Sequence, residues 1–552
     1  MVGGRIVQGS NLSRQSSFNF GSETKGLPSR PALDSNTSFG MSSLEVEDHE
    51  DEDEHLKDPR DWLKVIGAFE QPKMMYNATQ KHFDNTHLLL GMLTVSPAGA
   101  LSLSDLTGTI VLDIQHARPI PETGAYFAPG MIVLVEGSYE EDSGVSSTLG
   151  GTGGIGGTIG GKFLGFSVGH PPCERRTATL GGTDEIDKSS LAGPAFGWTD
   201  FLGVGSQRAT GSRMNKIGSK LLDPEQAHNI VIASDLHLDV PATLTALRTL
   251  LRTHTPDPTA AHPVYPLAII LMGNFSSKAS LAGVPGAGSI EYKEHFDALA
   301  SVLADFPQLI AHTTLVFIPG DNDAWPSAFL SGAATPLPRK PVPALFTNRI
   351  RRVIAEANRE VWGAGKAKGK EGEVIWTSNP SRLSWFGVKG EMAIIRDDLA
   401  GRLQRTSIRF PKPDEEVDDE MPFAPSAQDA DADADTMDLD LPASHHAPTQ
   451  QALDHDTLTA RSLTRTILSQ SHLSPFPLSA RPLHWDFAHV LNLYPLPNSL
   501  VLADSEAPAF VVKYCGCTVM NPGSLVEGRK GERARWVEFD VRSGSGVVRV
   551  EE

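Results

Sequence analysis

The chain has 552 residues, room for about three domains at about 150 residues each, and its 40% hydrophobic content is enough to build cores. No run approaches the roughly 20 apolar residues of a membrane span and the N-terminal residues lack a signal-type apolar core, so no membrane partner is expected. Three cysteines, Cys173, Cys515 and Cys517, exclude a disulfide framework, and Cys-x-Cys lacks the second pair a zinc site requires.

The net charge of -19 comes from two runs: Glu45 to Glu54 holds eight acids and Asp414 to Asp440 holds twelve, with no Lys or Arg in either. The remainder is near neutral, so composition gives no ground for claiming a basic nucleic-acid groove. Residues 1–58, rich in Ser, Gly and acid, are expected to be a disordered tail, and residues 59–87 an ordered lead-in. A second disordered acidic insertion is expected over about 411–460.

Residues 88–170 read as short strands: Leu88 to Val95, Leu101 to Leu103, Thr109 to Ile114, Met131 to Gly137 and Lys162 to Val168. Five strands without intervening helices predict a small barrel of OB-fold type. Its strands are aliphatic and carry Asp105, Asp113 and Glu136, so a packing role is favoured over binding of single strands. The Gly-rich loop 144–161 imitates a dinucleotide fingerprint and part of a P-loop. It lies between two strands, however, and Phe163 stands where magnesium would need Ser or Thr, so the loop is expected to be a hairpin insertion and no cofactor is expected.

A connector over 171–228 leads to Asn229 to Ala233, an apolar run ending in Ser234-Asp235-Leu236-His237. Leu267 to Met272 ends likewise in Gly273-Asn274, and Thr314 to Ile318 in Pro319-Gly320-Asp321-Asn322-Asp323. Continuous apolar runs of this kind predict covered strands of an α/β sheet, whose ligands collect beyond the carboxyl ends. Helices are predicted over Pro241 to Arg252, Tyr292 to Leu309 and Phe346 to Trp362. Ser378 to Leu383 reads as a turn, Gly390 to Leu399 as a strand with its exit loop, and beyond the acidic insertion strands are expected to resume and run to the end.

The three strand-end motifs resemble, in order, those of calcineurin-like metallophosphoesterases, whose ligands hold two water-activating metals. Asn274 stands where that pattern needs a bridging carboxylate, Asn322 where it needs an imidazole, and no Gly-His-x-His follows. The implied fold class is α/β and β: an OB-fold barrel packed against an inactivated calcineurin-like phosphoesterase domain, a two-sheet α/β sandwich over 229–552. Asp235, His237, Asn274, Asp321 and Asn322 would then be vestigial metal-site positions, with Asp323 beside them and neither a metal nor a catalytic residue expected. An active metallophosphoesterase is the alternative.

The later motifs are Ser378-Asn379-Pro380-x-Arg382, Arg396-Asp397-Asp398-Leu399, Gln470-Ser471-His472-Leu473-Ser474-Pro475, Leu493-Tyr494-Pro495-Leu496-Pro497, Val501-Leu502-Ala503-Asp504 and Asn521-Pro522-Gly523-Ser524. In order and spacing they resemble the B-subunit family of eukaryotic replicative DNA polymerases, most closely its polymerase epsilon branch, over about residues 61–552; the alpha and delta branches are the alternatives. The resemblance implies a nuclear, non-catalytic accessory subunit in chromosomal replication, holding the C-terminal zinc-binding region of the polymerase epsilon catalytic subunit, with weak or indirect DNA contact. It marks Asn379, Arg382, Ser471, His472, Pro475, Asp504, Asn521, Pro522 and Gly523 as motif positions. It also implies an N-terminal helical domain that meets the replicative helicase complex, whereas here Phe83 is followed almost at once by the first barrel strand at Leu88.

Overall fold

The computed structural model describes residues 64–67, 87–96, 99–106, 108–140, 158–179, 228–257, 263–279, 288–323, 335–363, 370–385, 390–411, 454–527 and 533–552. All of them lie in the unit that runs from Glu54 to Glu552. The expected N-terminal tail, most of the lead-in and of the connector, and nearly all of the acidic insertion and the Gly-rich loop fall outside the described residues.

After β1 (Lys64–Gly67) come the barrel strands β2 (His87–Val95), β3 (Leu101–Ser104), β4 (Thr109–Asp113), β5 (Arg118–Ile120), β6 (Ile132–Glu140) and β7 (Thr158–Gly169). The order β4-β3-β2-β6-β7 closes through a β4–β7 pairing, giving the five-stranded barrel, and β5, which the sequence did not signal, adds to β7. Alternate residues turn inward, so Leu93, Leu103, Ile110, Leu112, Val133, Val135, Phe163 and Val168 are buried. Gly137 sits where β6 and β7 shift register, and a Cβ there would lie 2.0 Å from the Leu164 carbonyl oxygen.

Beyond a short turn of helix, α1 (Arg176–Thr179), the chain builds two sheets. One contains β8 (Asn229–Ala233), β9 (Ala268–Met272), β10 (Thr314–Ile318) and β11 (Glu373–Trp376) in parallel, bordered by antiparallel β18 (Arg533–Asp540) with β17 (Val526–Glu527) and β19 (Ser545–Glu551). The other runs β1-β12-β13-β14-β16-β15, where β12 is Ser381–Trp385, β13 Gly390–Arg396, β14 Ser499–Ala503, β15 Phe510–Tyr514 and β16 Cys517–Asn521. The segment read as a turn near Ser378 to Leu383 is therefore in part a strand, and the lead-in supplies the edge strand beside it.

Period-two alternation sorts these strands into layers. Ile230, Ile232, Ile270, Met272, Val316 and Ile318 pack against Leu383, Met392, Ile394, Val501 and Met520, joining the sheets face to face. Each such buried aliphatic side chain stabilises by about 1.5–3 kcal/mol relative to exposure. On the other side of the first sheet, Val231, Ala233, Ile269, Leu271 and Phe317 meet α2 (Pro241–Thr253), α3 (Ser289–Ala304), α4 (Pro307–His312) and α5 (Ala344–Trp362). The helix predicted over Tyr292 to Leu309 is two, because Pro307 has no N–H to donate and its ring clashes with a continuing turn, so it opens a new helix instead.

The outer face of the second sheet, with Ala393, Ile395, Leu500, Leu502 and Val519, shares one core with the barrel, α6 (Leu399–Thr406) and α7 (His455–Gln470). Helix α7 corrects the expectation of strands after the acidic insertion. Its buried face includes Thr457, Thr459, Ser462, Thr464 and Thr466, so the apolar period that marks a helix is diluted by hydroxyl side chains. Among the described residues no helix is long and apolar enough to cross a membrane.

Candidate functional site

The parallel strands β8, β9 and β10 end at one edge of their sheet, and there the sequence changes from apolar to polar within a residue or two. Asp235 follows β8 with φ 52°, Gly273-Asn274 follows β9, and Gly320 to Asp323 follows β10. The structure thus brings Asp235, Asn274, Asp321, Asn322 and Asp323 to one edge, as the motif spacing requires.

Arginines hold these carboxylates. Arg396, the last residue of β13, donates from Nε and Nη2 to Asp235 Oδ1 at 3.0 and 2.7 Å, and from Nη1 to Asp398 Oδ1 at 3.0 Å. Asp321 Oδ1 accepts from Arg339 Nε at 3.2 Å and Arg481 Nη2 at 2.6 Å, while Arg481 Nη1 and Arg402 Nη2 lie 3.2 and 3.5 Å from its Oδ2. Arg402 also donates to Asp397 Oδ1 at 3.1 Å, and Arg481 Nε lies 3.4 Å from Asp397 Oδ2. Four guanidiniums are paired with the carboxylates of Asp235, Asp321, Asp397 and Asp398, the condition under which charges can stay buried.

The electrostatics follow from that pairing. Burial alone would raise the Asp321 carboxyl, but the guanidiniums of Arg481 and Arg339 outweigh it and hold the group below its usual range. For Asp397 burial wins over Arg481 and pushes the carboxyl up. Burial disfavours the charged form of Arg396, yet Asp235 and Asp398 more than compensate, so it stays a cation.

The remaining positions are held by neutral groups. Asp323 accepts from the amides of Phe275 and Gly320 and from the Tyr292 hydroxyl at 2.9–3.0 Å, and burial raises its carboxyl. Asn274 Oδ1 accepts from the Asn322 amide at 2.9 Å, and Asn322 Nδ2 donates to the carbonyls of Ser276 and Ser277 at 3.0 and 3.2 Å. His237 is half-buried with its Nε2 4.0 Å from Asp235 Oδ1, beyond hydrogen-bond reach.

A dinuclear metal centre does not fit this arrangement. Asp235 and Asp321 direct oxygens to guanidiniums, Asn274 brings no charge to bridge two cations, and Asn322 spends its amide on backbone carbonyls. Among the described residues no three His, Cys, Asp or Glu side chains converge as a metal site.

The other motif positions are structural ties around the cluster. Asn379 exchanges backbone hydrogen bonds with Arg339, while its side chain donates to the Arg396 carbonyl at 2.7 Å and accepts from the Arg396 amide at 3.0 Å, so one asparagine aligns two cluster arginines. Asn521 Oδ1 accepts from the amides of Asp504 and Gly523, and its Nδ2 donates to the carbonyls of Asp504, Ala507 and Pro508. Asp504 accepts the amides of Ala400, Glu506 and Ala507, fixing the start of α6. After Pro522, Gly523 takes φ 64°, and its carbonyl accepts from Ser234 Oγ at 2.6 Å, beside Asp235.

Arg382 and Arg176 both bond the buried Glu391, which ties α1 to the second sheet, and Arg382 also reaches the Asn492 carbonyl. At the end of α7, Ser471 adopts φ 47° and stops the helix, and His472 Nδ1 accepts the Ser474 amide at 3.1 Å ahead of buried Pro475. The residue before them clamps the barrel: Gln470 pairs with both backbone groups of Ile132 at 2.8 and 2.9 Å and with His170 Nδ1 at 2.7 Å.

Sequence reasoning quoted Arg396 within a motif without giving it a role and missed Arg339, Arg402 and Arg481. The available signal was charge inside apolar surroundings, as in Ile394-Ile395-Arg396, where an arginine ends a covered strand.

The strands form a barrel joined to a two-sheet sandwich, with Asp235 and Asp321 at the strand ends paired to arginines. Residues 230–512 match the family model of the DNA polymerase alpha/epsilon B-subunit, and residues 77–172 match that of the OB-fold domain of DNA polymerase epsilon subunit 2-like proteins. The chain belongs to the B-subunit family of DNA polymerases alpha and epsilon. Over 458 residues it is 33% identical to the DNA polymerase epsilon B-subunit of Saccharomyces cerevisiae, aligning 82% of this chain with 57% of that one. The relative of the same name from Schizosaccharomyces pombe is 33% identical over 448 residues, 80% of this chain and 59% of the other, and that from Arabidopsis thaliana 26% over 438 residues, 79% and 62%. The chain thus spans 57% to 62% of the length of these relatives.

Proposed function

We propose that this chain is a non-catalytic accessory subunit of a DNA polymerase epsilon complex, and that its sandwich is an inactivated calcineurin-like phosphoesterase whose ligands now serve the fold. The observation that carries the reading is the set of strand-end carboxylates that spend their charge on Arg396, Arg339, Arg402 and Arg481. Hydrolysis needs those oxygens for metals and a carboxylate at Asn274. The names of the relatives support the epsilon branch over alpha or delta, and in this reading the chain works on chromosomal DNA in the nucleus.

The partner in this reading is the catalytic subunit, gripped through its C-terminal zinc-binding region. DNA contact is secondary to that protein contact. The test is a titration of the full chain against that zinc-binding region. Association through a mostly apolar interface changes modestly between about 0.1 and 0.5 M salt, whereas phosphate-dominated binding falls by orders of magnitude. Tight association that persists across the series supports the reading; no association at any salt overturns it.

A further inference from the structure

The three cysteines of the chain, far apart in sequence, gather where the exit of the barrel meets the second sheet. Cys173 stands between β7 and α1, Cys515 in the turn between β15 and β16, and Cys517 opens β16. Cys173 and Cys515 are half-buried and pack on the core that barrel and second sheet share, whereas Cys517 lies inside it. A hydrogen bond joins the side chains of Cys173 and Cys515.

Cys515 sits where the backbone prefers other residues. Tyr514 pairs with Cys517, which leaves Cys515-Gly516 as a two-residue hairpin loop with φ 50° and 75°. Two positive φ values favour Asn-Gly, Asp-Gly or Gly-Gly, so a cysteine in the first place faces Cys173 at a conformational cost. The surroundings divide the roles of the two thiols. The hydrogen bond to Cys515, burial and the nearby Glu174 carboxylate push the Cys173 thiol up, so Cys173 keeps its proton. Arg465 holds its guanidinium over the Tyr514 ring, 5.6 Å from the centre, which brings a positive charge to the hairpin that carries Cys515. Burial pushes the enclosed Cys517 thiol up as well, which leaves it inert.

We propose that Cys173 and Cys515 form a redox pair that hydrogen peroxide closes to a disulfide, tying the exit of the barrel to the second sheet. The Cys515 sulfur attacks one peroxide oxygen as the O–O bond breaks. Cys515 becomes a sulfenic acid, and the departing hydroxide takes up the thiol proton as water. The Cys173 sulfur then attacks the Cys515 sulfur. The S–S bond forms as the S–O bond breaks, and the second hydroxide leaves as water with the Cys173 proton. Two thiols thus lose two electrons in all, and one peroxide is reduced to two waters. Thiols already in contact need little backbone movement to close. In a compartment that keeps thiols reduced, the pair stays open until peroxide rises.

The experiment exposes the folded, reduced full chain to a small excess of hydrogen peroxide at neutral pH, with glutathione as a reference thiol. By the time half of the glutathione is oxidised, the reduced thiols per chain should fall from three to one. Peptide mapping should find Cys173 joined to Cys515 within one chain, with fragmentation between Cys515 and Cys517 assigning the link. Cys517→Ser should keep the link and Cys173→Ser and Cys515→Ser should lose it, while dimedone should trap the sulfenic acid at Cys515 in Cys173→Ser. Dithiothreitol should restore all three thiols. The closed loop encloses most of the sandwich, so oxidation should raise the urea midpoint of the unaltered chain and not that of Cys173→Ser.

Three reduced thiols after that time, a link between Cys515 and Cys517, or a link found only between chains would each overturn the pair. A Cys173–Cys515 disulfide that leaves the urea midpoint unchanged would overturn its role as a tie. Where a serine variant fails to fold, mapping of the unaltered chain still decides.

Discussion

Arg396 Nη2 lies 2.7 Å from Asp235 Oδ1, and each side chain is about 1% exposed. The pair joins the carboxyl end of β8 in one sheet to that of β13 in the other, so the two sheets are tied at the edge where these strands end. Removing Arg396 leaves Asp235 buried and uncompensated, which costs about 3–5 kcal/mol, whereas removing Asp235 leaves Arg396 its bond to Asp398 and costs less. Arg396→Met and Asp235→Leu are each expected to lower the urea midpoint, the first more sharply. The double variant should recover much of the loss, and a double variant as unstable as the sum of the singles contradicts the pairing.

Asn521 makes five hydrogen bonds through one side chain, all to backbone groups around Asp504 and Gly523. Asn521→Ala strands buried donors and acceptors, each costing about 1–3 kcal/mol, so a total above about 3 kcal/mol is expected. Asn521→Asp keeps the acceptors but turns a buried carboxylate oxygen toward the carbonyls of Asp504, Ala507 and Pro508, and should cost at least as much as the alanine. Thermal unfolding of the three chains checks the order.

The junction of barrel and sandwich is expected to be acid-sensitive. Burial pushes the His170 imidazole down to about 4, and its ring already donates to the Tyr126 carbonyl and accepts from Gln470 Nε2. Burial does the same to His472, also to about 4. An unfolded histidine takes up its proton near 6.5 while these remain neutral, so protons favour the unfolded chain as pH falls. Stability is full above about pH 6.5 and declines progressively towards pH 4. His170→Phe, which keeps the stacking on Phe127, should flatten that decline, as measured by urea midpoints across the pH series. An unchanged slope would show that His170 does not carry it.

Gln470→Ala should loosen the same junction at neutral pH. Loss of its bonds to Ile132 and His170 is expected to raise amide exchange at Ile132 at least tenfold, with exchange in β8, β9 and β10 unchanged. Equal acceleration in all four places would mean that the clamp serves global stability instead.

Much of the frame was legible because the strands are apolar runs with abrupt polar ends. Ile230 to Asp235, Leu267 to Asn274 and Leu315 to Asp323 placed the site edge, and short alternating strands placed the barrel. Helix α7 was not legible, since threonine and serine interrupt Ala460, Leu463, Ile467 and Leu468 on its buried face and Ser471 ends it without glycine. The cluster was half legible. Its carboxylates sit in motifs at fixed spacing, whereas Arg339 and Arg481 come from irregular segments that reach Asp321 only through tertiary packing. Pattern reasoning can flag a missing ligand such as Asn274, but it does not show what takes up the charge of the ligands that remain.

The most direct measurement is hydrolysis of a phosphodiester such as bis(p-nitrophenyl) phosphate by the full chain with manganese, magnesium or zinc, beside the Asp235→Ala variant. With Asp235 and Asp321 bound to guanidiniums, the chain should turn over no faster than the variant under any metal. Metal-dependent turnover that Asp235→Ala abolishes would contradict the account.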